Sequence, residues 1–179
     1  MLRLKDQCYK ITNHPEGSKI VRQFLEFLPG FRDKFLTYIY ENFDEIREGK
    51  YSVLILLKLI VMQNRKFVRF MKKILRKDPR VLISDRSGAL LLSELVLAVD
   101  DPEIAETLIK TAKEFPNMLK RSTFIDILAS LAEVCEPVIC QQVLEIVEEQ
   151  LQVVLSTGSG YFLFEKLFLK GYDHFGVRI

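Results

Sequence analysis

The sequence is poor in the residues on which catalytic and metal sites are usually built. It has two histidines and three cysteines among 179 residues, and neither His14 nor His174 lies in a recognisable metal or nucleophile motif. Cys135 and Cys140 are five positions apart with no histidine nearby, whereas structural zinc needs four ligands at tighter spacing. An odd cysteine count also offers no disulfide framework and suits a reducing compartment. We therefore expect no enzymatic activity, no metal and no cofactor.

Segments that would divide or export the chain are scarce as well. Six prolines and eight glycines are too few for a linker-rich or disordered chain. The longest apolar run, Val53 to Met62, is interrupted by Lys58 and is too short to span a bilayer. The first residues lack the apolar stretch of a secretory signal. We predict a soluble, intracellular protein that forms one domain over residues 1–179.

What the sequence does contain is a repeat of 35 or 36 residues. The repeat is aligned on five positions, which we call the register residues: Gly17, Ser52, Gly88, Phe124 and Gly160. Other positions are numbered by their distance from the register residue of their repeat, so that the third residue after it is at +3. An apolar residue stands at −6, +3, +4, +7 and +8 of every repeat. Positions +3, +4, +7 and +8 share one face of an α-helix, because 3.6 residues make one turn.

Prolines agree with this pattern. Pro29, Pro102 and Pro137 fall twelve to fourteen residues after a register residue, where a first helix should end and a second begin. Asp101 before Pro102 is typical of an N-cap followed by proline at the first helical position. A single repeat cannot bury its apolar face alone, so neighbouring repeats must stack. We predict an all-α, right-handed α-solenoid of five two-helix repeats, approximately at 11–45, 46–81, 82–117, 118–153 and 154–179.

Charge is distributed unevenly along the chain. The net charge is +2, but residues 1–90 hold 19 Lys and Arg against 10 Asp and Glu, and residues 91–179 hold 7 against 14. The segment 65–80 concentrates eight bases and one acid around Phe67, Phe70, Met71 and Ile74. This segment is either a phosphate-binding helix, which would give salt-sensitive affinity without sequence preference, or the solvated outer face of a second helix.

The period and the starts of the first helices resemble the Pumilio (PUF) repeat. That family opens its RNA-facing helix with a small residue, usually glycine, after an aspartate-containing turn. The segments Asp85 to Gly88, His14 to Gly17 and Thr157 to Gly160 are similar to this start. The resemblance covers residues 11 to about 170 and implies that each repeat presents three side chains to one RNA base. It implies that the residues at +1 and +5 contact the base edge and that the residue at +2 stacks on the base. In the order +1, +2 and +5, repeats 1 to 5 offer Ser18, Lys19 and Arg22; Val53, Leu54 and Leu57; Ala89, Leu90 and Ser93; Ile125, Asp126 and Ala129; Tyr161, Phe162 and Glu165.

The chain departs from the family in these reading positions. The usual edge readers combine Asn, Ser or Cys with Gln or Glu, and no repeat here has both members. The resemblance therefore implies RNA binding with little or no base-by-base code, as in the nucleolar Pumilio-like branch, which binds structured or non-specific nucleic acid and assists ribosome assembly. It implies a nuclear or nucleolar location and a role in ribosome biogenesis or post-transcriptional regulation. The predicted RNA-binding residues are Ser18, Lys19, Arg22, Lys58, Arg65, Lys66, Arg69, Lys72, Lys73, Arg76, Tyr161, Phe162, Glu165 and Lys166.

A protein partner is the competing hypothesis. Aliphatic side chains at the predicted RNA-facing positions are typical of a protein interface, and a helix or peptide could lie there. In that case the chain is a scaffold without direct RNA binding, and its interface residues are Val53, Leu54, Leu57, Leu90 and Ile125. The oppositely charged halves also allow head-to-tail self-association. The Pumilio family has eight or more repeats, whereas five are visible here.

Overall fold

The computed structural model describes residues 2–134 and 136–174, with side chains at 7–134 and 136–169. All regular structure in these ranges is helical, which confirms the predicted all-α class. The chain divides into two compact units, Met1–Met71 and Lys72–Ile179, called here the N-terminal and C-terminal units. In chain order the helices are α1 (Leu2–Thr12), α2 (Pro15–Phe27), α3 (Pro29–Glu41), α4 (Phe43–Glu48), α5 (Val53–Val61), α6 (Arg65–Lys77), α7 (Arg80–Ile83), α8 (Arg86–Ala98), α9 (Pro102–Glu114), the 3₁₀ helix Pro116–Lys120, α10 (Ser122–Val134), α11 (Pro137–Glu149), α12 (Leu151–Leu155) and α13 (Gly160–His174).

Each repeat has a helix that the sequence analysis did not predict. Helices α1, α4, α7, the 3₁₀ helix and α12 precede the register residues and carry the apolar residue at −6. The prediction of two helices per repeat is therefore corrected to a preceding helix, a first helix and a second helix. Apart from α1 these helices have only four to six residues, which is too short a stretch to show a helical period in the sequence.

The register residues lie at the starts of the first helices α2, α5, α8, α10 and α13. Three of them are glycines because the backbone of the preceding helix comes very close. A Cβ atom at Gly17, Gly88 or Gly160 would lie 2.0 to 2.1 Å from the carbonyl oxygen of the residue at −6. In the second repeat the Ser52 hydroxyl donates a 2.7 Å hydrogen bond to the carbonyl oxygen of Ile46, which is also at −6. The register residue thus joins the preceding helix to the first helix.

The second helices begin where the prolines predicted. Pro29, Pro102 and Pro137 are the first residues of α3, α9 and α11, and the Asp101 carboxylate accepts a 3.1 Å hydrogen bond from the Glu103 backbone N–H, as an N-cap does. Helix α6 has no proline at its start. Instead, the Asn64 side-chain oxygen accepts a 3.0 Å hydrogen bond from the Phe67 N–H and satisfies one free donor of the first turn.

The predicted core positions are buried throughout the inner repeats. In repeats 2 to 4 every residue at +3, +4, +7 and +8 is buried. Within the C-terminal unit α8 and α13 both pack against α10, and within the N-terminal unit α3 and α5 both pack against α2. The prediction fails at the two ends of the array, where Ile20 and Phe24 of repeat 1 and Phe168 of repeat 5 are exposed. The residues at these positions are buried only where a neighbouring repeat packs against them.

Candidate nucleic-acid interface

The face that the first helices expose differs from the one that the resemblance implied. Position +1, assigned to base contact, is buried in repeats 1 to 4. Ser18, Val53 and Ile125 therefore cannot reach a ligand, and their assignments to an RNA or protein interface are corrected. The Ser18 hydroxyl instead donates a 2.7 Å hydrogen bond to the backbone carbonyl of Tyr51. Positions +1 and +8 lie seven residues apart on one helical face, and in these four repeats that face is directed into the protein.

Positions +2, +6 and +9 form the outward face of the first helices. Among the predicted residues, Lys19, Leu90 and Phe162 at +2 are exposed, and Leu54 at +2 is half-buried. At +5, Arg22 and Leu57 are half-buried and Glu165 is exposed. Sequence reasoning missed positions +6 and +9 as a set, although their spacing of four and seven residues from +2 places them on the same face.

Two lysines on this outward face, both at +6, are paired with carboxylates of the preceding repeat. In the N-terminal unit the Lys58 ammonium at +6 lies 2.9 Å from the Glu26 carboxylate at +9. In the C-terminal unit Lys166 at +6 lies 2.9 Å from Glu133 at +9, and its ammonium is 5.2 Å from the centre of the Phe162 ring. The same two positions thus form the same ion pair in both units. Both lysines are already neutralised and offer little charge to a phosphate.

Helix α6 carries the densest positive charge of the described chain. Phe67, Met71 and Leu75 recur every four residues and are fully or almost fully buried, so the helix is held by one apolar face. All seven Lys and Arg residues of the helix lie on the remaining side. Since successive residues are rotated by about 100° around the helix axis, these seven fall within an arc of about 140°. These residues are Arg65, Lys66, Arg69, Lys72, Lys73, Arg76 and Lys77.

Three of these seven bases are held by carboxylates. Lys66 lies 2.8 Å from Asp33 of α3. Lys72 lies 2.7 Å from Asp101 at the start of α9 and also contacts Glu103, which pairs with Arg76. Hydrogen bonds to Asp101 and Glu103 raise the pKa of Lys72. Hydrogen bonds from Arg76 and Lys72 lower the pKa of Glu103 to about 2. Lys66, Lys72 and Arg76, all predicted to bind RNA, therefore connect helices in this structure.

The other four bases form a row that has no carboxylate partner in the described ranges. Arg65, Arg69, Lys73 and Lys77 are exposed and are spaced four residues apart, so they follow one side of the helix. None of them forms an ion pair within the described part of the chain. The row is about 18 Å long at 1.5 Å per residue. Lys77 was not among the predicted site residues, although its spacing from Lys73 indicates that it belongs to the row.

A cleft lies at the start of the row, within the N-terminal unit. It has a volume of 320 Å³ and is lined by Pro29, Arg32, Asp33, Asn64, Arg65 and Lys66. The first residues of α3 and α6 both line it, and helix N-termini favour anions. The Nε atom of Arg32 is buried and has no hydrogen-bond partner among the residues that the structure describes. Arg32 was missed by sequence reasoning because it is a single base outside the basic segment.

The remaining predictions on chemistry concern few residues. Thr157 to Gly160 forms the turn between α12 and α13, and the Thr157 hydroxyl donates a 2.7 Å hydrogen bond to the Val154 carbonyl. Cys135 and the His174 side chain lie outside the described residues. Elsewhere in the described chain, no group of three or more His, Cys, Asp and Glu residues is placed to hold a metal ion. No helix within the described ranges is long and apolar enough to cross a bilayer.

The fold is that of an all-α helical-repeat protein of the Pumilio type. Among solved structures, the chain is similar to the Puf4 RNA-binding domain bound to a recognition sequence from the 3′ untranslated region of the HO endonuclease RNA. The TM-score is 0.66 at 12% sequence identity, and the match covers 92% of this chain and 50% of that one. The chain thus spans about half the length of that domain. At this identity the likeness shows the fold alone, and it agrees with the predicted α-solenoid class. No protein-family model and no curated protein matches the chain.

Proposed function

We propose that this protein binds RNA through phosphate contacts made by α6, with little dependence on base sequence. The observation that carries the proposal is the row of four exposed bases that have no carboxylate partner among the described residues, Arg65, Arg69, Lys73 and Lys77. Lys66, Lys72 and Arg76 of the same helix are paired with carboxylates, whereas these four bases are not. A row of bases held along a rigid helix matches a row of backbone phosphates and carries no information about base identity.

The cleft at the start of α6 extends this surface. Arg32 lines the cleft and adds a guanidinium to that of Arg65, and arginine binds phosphate oxygens through its fixed donors. Asp33 in the same cleft is already paired with Lys66, so its charge is offset. We therefore include Arg32 in the proposed surface. A phosphate in this cleft would meet two helix N-termini as well as the two arginines Arg32 and Arg65.

The first helices support the absence of a base code. Their outward face offers Lys19, whereas Lys58 and Lys166 are paired with glutamates. Leu90 and Asp126 at +2 are exposed and have no flat surface on which a base can stack. A protein that reads bases needs paired polar groups at these positions in successive repeats. The charge on α6 therefore supports binding of the RNA backbone, and the first helices add little recognition of sequence.

The test is the binding of the purified chain to labelled single-stranded and hairpin RNAs at several salt concentrations, followed by fluorescence anisotropy. Four phosphate contacts predict that log K falls against log salt with a slope of about −3 on single strands, at about −0.7 per contact. Changing Arg65, Arg69, Lys73 and Lys77 together to Gln should remove most of the affinity and make the slope nearly flat. Two unrelated RNA sequences should bind within a few-fold of each other.

A matched control removes the same charge elsewhere. Lys34, Lys110, Lys113 and Lys120 are exposed bases on α3, α9 and the 3₁₀ helix, and their joint change to Gln should leave the salt slope unaltered. If both quadruple variants weaken binding equally, net charge rather than α6 is responsible. If the unsubstituted chain does not bind either RNA at low salt, the proposed function is wrong.

The setting of this activity is part of the proposal. Phosphate binding without a base code suits structured RNA, so we propose a role in ribosome biogenesis or post-transcriptional regulation, with a nuclear or nucleolar location. Imaging of the tagged protein in cells tests the location. A diffuse cytoplasmic signal would argue against it.

A protein-binding function is the second candidate, and a specific surface in the C-terminal unit favours it. A cavity of 310 Å³ between the α8–α9 and α10–α11 turns is lined by apolar residues, among them Val96, Ile104 and Val138, and by the acids Asp100, Glu106 and Glu136. Leu97 is exposed on the outward face of α8, as Leu90 is. A basic peptide with an aliphatic anchor suits this surface. Such peptides should bind the chain even when the α6 row is changed to Gln, whereas RNA should not.

A further inference from the structure

Consecutive second helices are joined by ion pairs at corresponding residues. Helices α3, α6, α9 and α11 each have 13 residues, so we compare them residue by residue from their first. In the N-terminal unit the ammonium of Lys66, the second residue of α6, lies 2.8 Å from the carboxylate of Asp33, the fifth residue of α3. In the C-terminal unit Glu103, the second residue of α9, pairs with Lys72 and Arg76 of α6. In both cases the second residue of a second helix forms an ion pair with the second helix before it.

This contact is missing between α9 and α11. The second residue of α11 is Val138, which carries no charge and is 66% exposed. The fifth residue of α9 is Glu106, which corresponds to Asp33 and is exposed. Its carboxylate forms no ion pair or hydrogen bond with any side chain that the structure describes. Where α6 offers an ammonium to α3, α11 thus offers only a short apolar group to α9.

The cavity of the C-terminal unit lies at this place, since both of these residues line it. Val96 and Ile104, which are buried, contribute apolar wall. Asp100 and Glu136 contribute two further carboxylates; both residues are exposed, and neither carboxylate is paired within the described ranges. The cavity therefore combines an apolar wall with free negative charge. A side chain with an aliphatic stem and a positive end fits such a surface.

We propose that this cavity binds the side chain of a lysine on a segment of a partner protein. The aliphatic stem of the lysine packs against Val138 and Ile104. Its ammonium pairs with Glu106, in the way that Lys66 pairs with Asp33 in the N-terminal unit. The partner thus supplies the base that α11 lacks. The inference rests on the second candidate function, because it names the group that enters the same cavity, and it does not depend on RNA binding.

Charge complementarity favours a lysine-rich protein segment as the occupant. Three unpaired carboxylates line the cavity, so one ammonium leaves negative charge that neighbouring bases of the segment would meet. Residues 91–179 as a whole hold 14 Asp and Glu against 7 Lys and Arg, which attracts such a segment from a distance. Val134 also lines the cavity and is 43% exposed, so aliphatic groups of the segment have a surface to cover.

The test is the binding of three short fluorescent peptides to the full chain, followed by fluorescence anisotropy. The first peptide alternates lysine with serine. The second has norleucine in place of lysine, which keeps the stem and removes the charge, and the third has diaminobutyrate, which keeps the charge and shortens the stem. The lysine peptide should bind at least about tenfold more tightly than either, since a hydrogen bond to a charged group contributes about a factor of ten and two buried methylenes about as much.

Val138→Lys tests the site from within the chain. Its ammonium would take the place that Lys66 has in the N-terminal unit and pair with Glu106, so this variant should bind the lysine peptide at least about tenfold more weakly. Gln152→Lys is the matched control, because Gln152 is exposed on α12 and does not line the cavity. It adds the same charge, which salt screens at a distance, and should bind within about twofold of the unsubstituted chain. Equal binding by the two variants would overturn the proposal.

Two double variants test the carboxylates by removal of charge. Glu106→Gln with Glu136→Gln removes two carboxylates of the cavity, whereas Glu148→Gln with Glu149→Gln removes two exposed carboxylates of α11 that do not line it. Only the first pair should weaken binding of the lysine peptide by about tenfold or more. An equal loss in both would mean that net charge attracts the peptide, and the proposed site would be wrong.

The peptides also separate this inference from the functions proposed above. Equal binding of the lysine and norleucine peptides would overturn the inference and leave the second candidate function in place, with an aliphatic group as the anchor. No binding of either peptide would refute both. Spermidine is a rival occupant with the same kind of ammonium; if it displaces the labelled peptide at a lower concentration than unlabelled peptide does, the cavity binds a small molecule and the protein partner is wrong. Changing the α6 row to Gln should leave peptide binding unaltered, whatever that variant does to RNA.

Discussion

Replacing Gly88 with alanine should destabilise the protein, although the same change stabilises most helices. In an exposed helix interior, alanine is more favourable than glycine by up to about 1 kcal/mol. At Gly88 the added Cβ would lie 2.1 Å from the carbonyl oxygen of Leu82 and 2.8 Å from its carbonyl carbon. Both atoms belong to the backbone of α7, so no side-chain rotation relieves the overlap, and α7 must move away from α8. Overpacking of this kind typically costs about 1–3 kcal/mol, and we expect a loss at least that large.

The assay is urea unfolding followed by far-ultraviolet circular dichroism, because the chain has no tryptophan to report on unfolding. Gly30→Ala is the matched control. Gly30 is the second residue of α3, and a Cβ there would meet no heavy atom within 4 Å, so this variant should be as stable as the wild type or slightly more stable. A Gly88→Ala variant that equals or exceeds the wild type would refute the claim that the register glycines permit close backbone approach.

Two further changes test the core and the ion pairs. Leu95→Ala, at a fully buried +7 position, should lower the free energy of unfolding by about 2–5 kcal/mol through loss of burial and the cavity left behind; a loss well below about 1 kcal/mol in urea unfolding would mean that the register is wrong. The pKa of Glu103 is lowered from 4.5 to about 2, so its ion pairs stabilise the fold above about pH 4.5 and this stabilisation is lost as the pH falls toward 2. As the pH falls through that range, the free energy of unfolding of Glu103→Gln should therefore decrease less than that of the wild type. If the two free energies decrease in parallel with pH, the ion pairs of Glu103 contribute nothing to stability.

The helical repeat could be predicted because its signal is periodic. Apolar residues at four positions of five repeats determine which faces of α5, α8 and α10 are buried, and prolines mark the starts of three second helices. The short preceding helices were missed because four to six residues make little more than one turn, so no apolar position recurs within them. Ile20 and Phe24 carry the same apolar signal as their buried counterparts. Their exposure depends on whether a neighbouring repeat is present, and the sequence of one repeat does not contain that information.

The candidate site was predicted less completely, since it depends on which charges meet. The sequence shows seven bases in α6, but the acids that neutralise Lys66 and Lys72 lie about 30 residues away, in α3 and at the start of α9. Which bases are paired with acids, and which form the row that includes Arg69 and Lys77, depends on how the second helices pack against one another. The assignments at +1 failed for a related reason. The position of a residue within the repeat motif does not show against which side of its helix the neighbouring helices pack. Ser18 and Ile125 at +1 are buried.

The central place of α10 in the C-terminal unit has a consequence for how that unit opens. Helix α10 packs against both α8 and α13, and seven of its residues, among them Phe124, Ile127 and Leu128, are buried. In a linear array each interface adds to the stability of the repeats that share it. The amides of α10 should therefore be the slowest of this unit to exchange with solvent deuterium, and those of α13, where Tyr161 and Leu169 are exposed, should exchange sooner. Protease nicking in the native state should accordingly begin near α13.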